Sequence, residues 1–443
     1  MTDVFITDTK KGVSKAVNEI FSNLMKTGPI LKSSKEVYIK VNGIDFQKHA
    51  YTSPEVLKEV IDYLRSIDAK IYVMENSTQA NMTRIVFAIN GYKEVCDETG
   101  AEIVYLDEED TETFEFKGKL SVEDKPTGYN LKTFRLPKTI VKIIKNRESM
   151  TYINLPKLKT HSMARVTLGI KNQWGFPQHA DRGKDHNYNL HSKLVDVYEY
   201  IKPDICIIDG WGGGTIHGHY PPTAWEDRLV IPFNVLIGGR DTLAVDVVGA
   251  RIFGLTLDEI PHLKIAYERG LGEGDLSKIN VIGKDLEEYT EKYPWDLLQE
   301  FPENVMIVKG TELLCREGCQ NNPLATLQAF AYDHKEKFKG GWFLVMGKGH
   351  DENLAELLEE RSFTKGLVAG YCAINEVGEQ LRQKFGKRKV LFSGDCNNLA
   401  ETVKAILKLS KMTVFDLVSL STEKLMSLID SAKEHGSTAL TPL

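Results

Sequence analysis

The segment "EVYIKVNGIDFQKHAYTSPEVLKEVIDYLRSIDAKIYVMEN" (36–76) decides the fold. Its opening, "EVYIKVNG", is an apolar run of strand length that stops at Gly43. "TSPEVLKEVIDYLRSIDA" follows, with Thr52 or Ser53 as cap, Pro54 in the first turn, and Val56, Leu57, Val60, Ile61 and Leu64 at helical spacing. "KIYVMEN" then returns to a strand. Strand, helix and strand in this order predict two parallel strands joined by a crossover helix that covers one sheet face.

The same rhythm extends outward. A helix near 81–100 precedes "AEIVYLD", and "SMTYINLPK" (149–157), "DICIIDG" (204–210) and "RLVIPFNVLIGG" (228–239) read as further strands. "LEEYTEKYPWDLLQEFPEN" (286–304) interrupts with charges and two prolines and reads as a linker. "NVMIVKG", "GGWFLVMGKG", "KGLVAGYC" and "RKVLFSGDC" restart the alternation, each ahead of a helix-like run. The predicted class is α/β: a mainly parallel sheet in a larger N-terminal domain (1–285), a linker (286–304), and a smaller C-terminal α/β domain (305–443) with four cysteines near its strand ends. The tail "SAKEHGSTALTPL" reads as loose.

Composition narrows the function. The chain has 443 residues, 42% of them hydrophobic, enough for two cores. Its 56 basic residues against 62 acidic ones give a net charge of −6, which speaks against non-specific nucleic-acid binding. No apolar run reaches the length of a membrane span and the N-terminus lacks a signal-like core, so the expected location is the cytoplasm, without a membrane partner. Six cysteines are too few for a disulfide framework and suit a reducing compartment.

Ligands of parallel sheets bind where loops leave the carboxyl ends of strands. Lys157, Lys159, Thr160 and His161 follow one predicted strand, and Asp209 with the glycines of "GWGGG", Gly212 and Gly213 among them, follows another. "TLGIKNQWGFPQHADRGKDHNYNLH" (167–191) adds Lys171, Asn172, Arg182 and His191, the later part as a mobile loop. Cations and close-approaching backbone at strand ends predict a pocket for an anion such as a carboxylate or phosphate. His217 and His219 are a second-choice metal pair.

In the last third, Cys315 and Cys319 form "CREGC", Cys372 ends "GLVAGYC" and Cys396 ends "VLFSGDC". If those strands are parallel, four thiols reach one sheet edge. That complement suits a [4Fe-4S] cluster, with zinc as the alternative, although the spacing is that of neither a zinc ribbon nor a ferredoxin run.

"VYIKVNG", "TSPEVLKEVIDYL", "NGYKEV", "NLPKLKTH", "LGIKNQWG" and "IGGRDTLAVDVVGARIFG" are similar, in order, to the family called domain of unknown function 362, over residues 35–285. More distantly, that family resembles the amino-terminal part of lactate racemase-type enzymes, in which histidines act on a hydroxy acid beside a nickel cofactor. The resemblance implies acid/base roles for His161 and His191, anion-holding roles for Lys157, Lys171 and Arg182, and nickel as another metal. It does not reach the second domain.

Two functions follow as expectations. One is a metal-dependent enzyme, with iron–sulfur as the preferred cofactor, acting on an anionic small molecule; lyase, isomerase and oxidoreductase chemistry are not separated. The other is a non-catalytic iron–sulfur or cofactor-binding accessory protein of anaerobic metabolism, with a redox partner protein. A homo-oligomer is compatible with both.

Overall fold

A computed structural model describes residues 1–118, 132–185, 189–218, 221–394, 396 and 398–439, with only the backbone at 184 and 185. The eight strands of the larger sheet are Thr2–Asp8 (β1), Glu36–Val41 (β2), Lys70–Glu75 (β3), Glu102–Tyr105 (β4), Thr151–Leu155 (β5), Ile205–Gly210 (β6), Val235–Gly239 (β7) and Ile279–Gly283 (β8). Their order is β8-β1-β7-β6-β5-β2-β3-β4. All run parallel except β7, which is antiparallel to both β1 and β6.

The decisive segment folds as read, with helix Pro54–Ser66 between β2 and β3. Strand alternation distributes β2 between two cores. Val37, Ile39 and Val41 pack under helices Val13–Thr27 and Pro54–Ser66, while Tyr38 faces the opposite core under helices Leu190–Tyr200 and Thr242–Ile252. Lys40 shares the parity of Tyr38 and is buried as well.

Several local expectations are corrected. The helix near 81–100 is two helices, Thr83–Ile89 and Tyr92–Thr99, divided at Gly91, whose φ of 77° leaves the right-handed region. The long strand at 228–239 is broken by Pro232 and by Asn234 at φ 50°, so only Val235–Gly239 joins the sheet. The tail is docked through residue 439, the last one described: helix Thr422–Glu434 packs Leu425 and Ile429 against Met82 and Ile85, and Ser437 Oγ donates to Asp107 at 2.6 Å.

The smaller sheet contains Val305–Lys309 (β9), Trp342–Met346 (β10), Gly366–Ala369 (β11) and Val390–Phe392 (β12), all parallel and in chain order. Helices Asn321–Asp333 and Leu399–Leu409 cover one face and Leu354–Glu360 and Glu379–Phe385 the other. The stretch 286–304 also carries contacts. Trp295 stacks on the guanidinium groups of Arg165, from the larger domain, and Arg316, beside Cys315, with centroid distances of 3.9 and 4.8 Å.

Candidate functional site

Sheet register builds the floor of the site. Lys40 on β2 lies opposite Met74 on β3 and Asn154 on β5. Asn154 donates to the Gly169 carbonyl at 2.8 Å and accepts from Asn172 Nδ2 at 2.7 Å, which docks the helix Leu168–Asn172 onto this row. This stretch forms one short helix. It is helical because a distant carboxylate caps it: Asp246, in helix Thr242–Ile252, accepts from the backbone N–H groups of Gly169 and Ile170 at 2.6 and 2.8 Å.

Two glycines of "GIKNQWG" are required by close approach. A Cβ on Gly169 would meet Thr242 at 2.6 Å and Cys206 at 2.8 Å, and one on Gly175 would meet Glu75 at 3.0 Å and Lys40 Nζ at 3.2 Å. Removing the cap should loosen the whole motif. Asp246→Ala leaves two buried N–H groups without an acceptor and is expected to lower unfolding stability by about 3 kcal/mol in chemical denaturation; a loss below about 0.5 kcal/mol would show that the cap is unimportant.

Above this floor lies a cavity of about 60 Å³ lined by Lys40, Asn42, Glu75, Asn76, Gln79, His161, Lys171, Asn172, Trp174, Arg182 and Asn322, among others. Lys40 is ion-paired with Glu75 and also donates to the Val41 carbonyl at 2.9 Å. Arg182 donates to the Ser77 carbonyl at 2.8 Å, while its Nε has no partner among the described residues. Lys171 is 4% exposed. Burial, followed by the nearby positive charges of Arg182 and Lys40, brings its ammonium down to about 7, against the opposing pull of Glu75. Burial also lowers Arg182, to about 10.

One buried carboxylate therefore faces three buried cations. The cavity wall also holds buried polar atoms with no hydrogen-bond partner among the described residues: Asn42 Oδ1, Asn76 Oδ1, Gln79 Oε1, Ser162 Oγ, Thr167 Oγ1 and Asn172 Oδ1. Buried polar groups ordinarily have partners, so the cavity wall keeps unused hydrogen-bonding capacity.

His161 is 2% exposed, and its Nδ1 accepts from the backbone N–H groups of Met163 and Ala164 at 3.1 and 3.2 Å. Those two bonds assign the ring proton of the neutral form to Nε2, suiting His161 to donate rather than to accept.

The structure gathers His161, Lys171, Asn172 and Arg182 from the sequence-derived set into this cavity and adds Lys40 and Glu75. The signal for Lys40 was present, as the lone cation inside an otherwise apolar strand. Other predicted members are engaged elsewhere. Lys157 pairs with the buried Asp209 at 3.3 Å and donates to Ser53 Oγ and the Trp211 carbonyl, while Asp209 also accepts from the Ser53 and Trp211 N–H groups. Lys159 donates to the Ala50 carbonyl and Thr160 to the Thr215 carbonyl. Gly212 and Gly213, at φ 67° and 114°, form a turn into the short pairing of Gly214–Thr215 with Val230–Ile231. Helix His179–Asp185 takes the first part of the expected mobile loop, held by Asp181 to Arg135 and by His179 and Arg182 to Ser77, and residues 186–188 of that loop lie outside the described residues.

The four cysteines of the last third converge. Cys315 and Cys319 follow β9, Cys372 follows β11 and Cys396 follows β12, and all four line one cavity of about 430 Å³. Of two single π-helical turns, Arg316–Gln320 contains Cys319 and Ile374–Gly378 begins two residues after Cys372. Cys319 is buried; burial and then the neighbouring Cys315, Cys396 and Cys372 push its thiol well up. His191 lines this cavity rather than the cationic one. Its Nδ1 lies 3.3 Å from His262 Nδ1, and burial, with Arg165 and Lys171, lowers it to about 4.

Cys319 and Asn322 lie three residues apart at the start of one helix, so the thiol cavity and the cationic cavity share that helix end as their boundary. Asn321 Nδ2 ties the same helix end to the Ser162 carbonyl at 3.1 Å. Among the described residues no three His, Cys, Asp or Glu side chains are close enough to hold a single metal ion. His217 packs edge-on to Trp225 at 5.7 Å, and His219 lies outside the described residues.

Residues 37–251 match the family described as Domain of unknown function (DUF362). Over 258 residues the chain is 28% identical to a thylakoid-associated protein of Synechocystis sp., a match that covers 55% of this chain and 71% of that protein. Among the described residues no helix is long and apolar enough to cross a membrane.

Proposed function

We propose that this protein, whose residues 37–251 belong to the DUF362 family, is an iron–sulfur-dependent enzyme acting on a small anionic molecule. The observation that carries the reading is the adjacency of two cavities across residues 319–322, one lined by four thiols and one by Lys40, Lys171 and Arg182. The excess of buried cations favours an anionic head, and the unpartnered amide and hydroxyl oxygens favour a hydroxyl on the same guest.

The donor set fits a cluster better than one ion. Four sulfurs around a single zinc, each at about 2.3 Å from it, would lie roughly 3.8 Å apart. The four thiols line one cavity of about 430 Å³, and a cubane would take one thiolate at each of its four iron corners. When bound, such a cluster would supply electron transfer or, if only three of the thiols ligate, a Lewis acid at the fourth iron. The chain's own residues do the rest: Lys171 and Arg182 hold the anion, His161 offers Nε2–H to it, and the wall of Trp174, Leu399 and Ala325 limits water.

A non-catalytic electron-transfer role is the second reading, favoured by the exposure of Cys315, which would leave a cluster edge open to a partner protein. Anaerobic assays of the purified protein with small hydroxy acids separate the two. Turnover that disappears in His161→Ala while iron content is retained is the expected result; undiminished turnover in that variant removes His161 from the mechanism, and no turnover of any acid tried would favour the electron-transfer role.

A further inference from the structure

We propose that the anion's head occupies the cationic cavity and its apolar body occupies the neighbouring hydrophobic cavity, which makes the substrate an amphiphilic acid with a short aliphatic or aromatic body. This rests on the anion-binding reading above and adds the substrate class to it.

Size motivates the division. The cationic cavity, at about 60 Å³, has room for roughly four to six water-sized groups, enough for a carboxylate or phosphate and little more. A second cavity of about 120 Å³ adjoins it, and Thr78 and Leu399 line both. Its walls include Phe46, Ile85, Phe330, Val403, Leu417 and Leu425. They come from both domains and from the C-terminal helix.

The volume approaches the roughly 150 Å³ of an apolar cavity that admits benzene in another protein. The polar groups differ in kind between the two spaces. Gln47 and Asp333 on the apolar cavity's wall bond to each other at 3.0 Å, and Asp45 accepts from the Phe46 N–H at 2.6 Å, whereas the wall of the cationic cavity carries the unpartnered atoms. One space is prepared for a polar guest and the other for an apolar one.

The test is calorimetric titration of the full chain at pH 6.5 with straight-chain carboxylates from acetate to octanoate. Affinity is expected to rise about fourfold per methylene until the second cavity is filled, near six carbons, and then to level off. Ala329→Trp, which fills that cavity from helix Asn321–Asp333, should abolish the rise but retain acetate binding. Val403→Phe, from helix Leu399–Leu409, repeats the test if the first variant does not fold. Acetate binding with no dependence on chain length, or a rise that persists in both filled variants, overturns this inference and leaves the anion site standing. Failure of every acid to bind the wild-type chain overturns the anion reading itself.

Discussion

At pH 7 the Lys171→Met variant is expected to bind acetate on the order of a hundredfold more weakly than the wild type, a loss of about 3 kcal/mol typical of a buried charge-assisted bond. The ligand-free variant should nevertheless be the more stable protein. Lys171 sits at about 7 because burial and its cationic neighbours oppose its charge. The native chain therefore releases a proton that the unfolded chain keeps up to about 10.4. The resulting penalty is full below about pH 7 and fades as pH rises toward the unfolded value. Methionine removes it, so a gain of about 3 kcal/mol in urea unfolding is expected near neutrality, shrinking toward pH 10. For the wild type, anion affinity should be flat below pH 7 and decline above it, with proton uptake on binding at pH 8. A variant that loses both binding and stability would mean that Lys171 is structural.

Lys157→Met is expected to do the opposite. Its partner Asp209 is fully buried, and removing the ammonium strands that carboxylate, which costs about 3–5 kcal/mol. The double variant Lys157→Met with Asp209→Asn should recover part of the loss: it removes the stranded charge, but the one amide oxygen can replace only Oδ2, which accepts from Ser53 N–H, or Oδ1, which accepts from Trp211 N–H, and the amide NH2 faces the other donor. Unchanged stability in Lys157→Met, together with lost acetate binding, would return Lys157 to the site.

The contrast between these two lysines explains how far the sequence could be read. Both are cations in loops after strands, and the sequence shows their charge but not their partners. Asp209 is 52 positions from Lys157, and Asp246, which makes helix Leu168–Asn172 possible, is 77 from Gly169. Long-range pairing of this kind leaves no local signal. The strands of segment 36–76 were legible because apolar run, cap and helical spacing agree within forty or so residues. β1, at "TDVFITD", was overlooked because threonines and aspartates flank its apolar residues, and β8, at "INVIG", because Asn280 interrupts it; the reversed direction of β7 is a property of the assembled sheet alone. The cysteines were placed at one edge by topology: in an all-parallel sheet, successive strand ends must point the same way. His161 and His191 resembled one another in sequence, yet one lines the cationic cavity and the other the thiol cavity.

The central claim is that Cys315, Cys319, Cys372 and Cys396 hold one cluster beside the anion cavity. Its most direct test is iron and acid-labile sulfide per chain after anaerobic purification, in the wild type and in Cys319→Ser and Cys372→Ser. The prediction is about four of each in the wild type and a marked loss in both variants. A wild-type chain without iron or sulfide, or variants that retain the full complement, would contradict it.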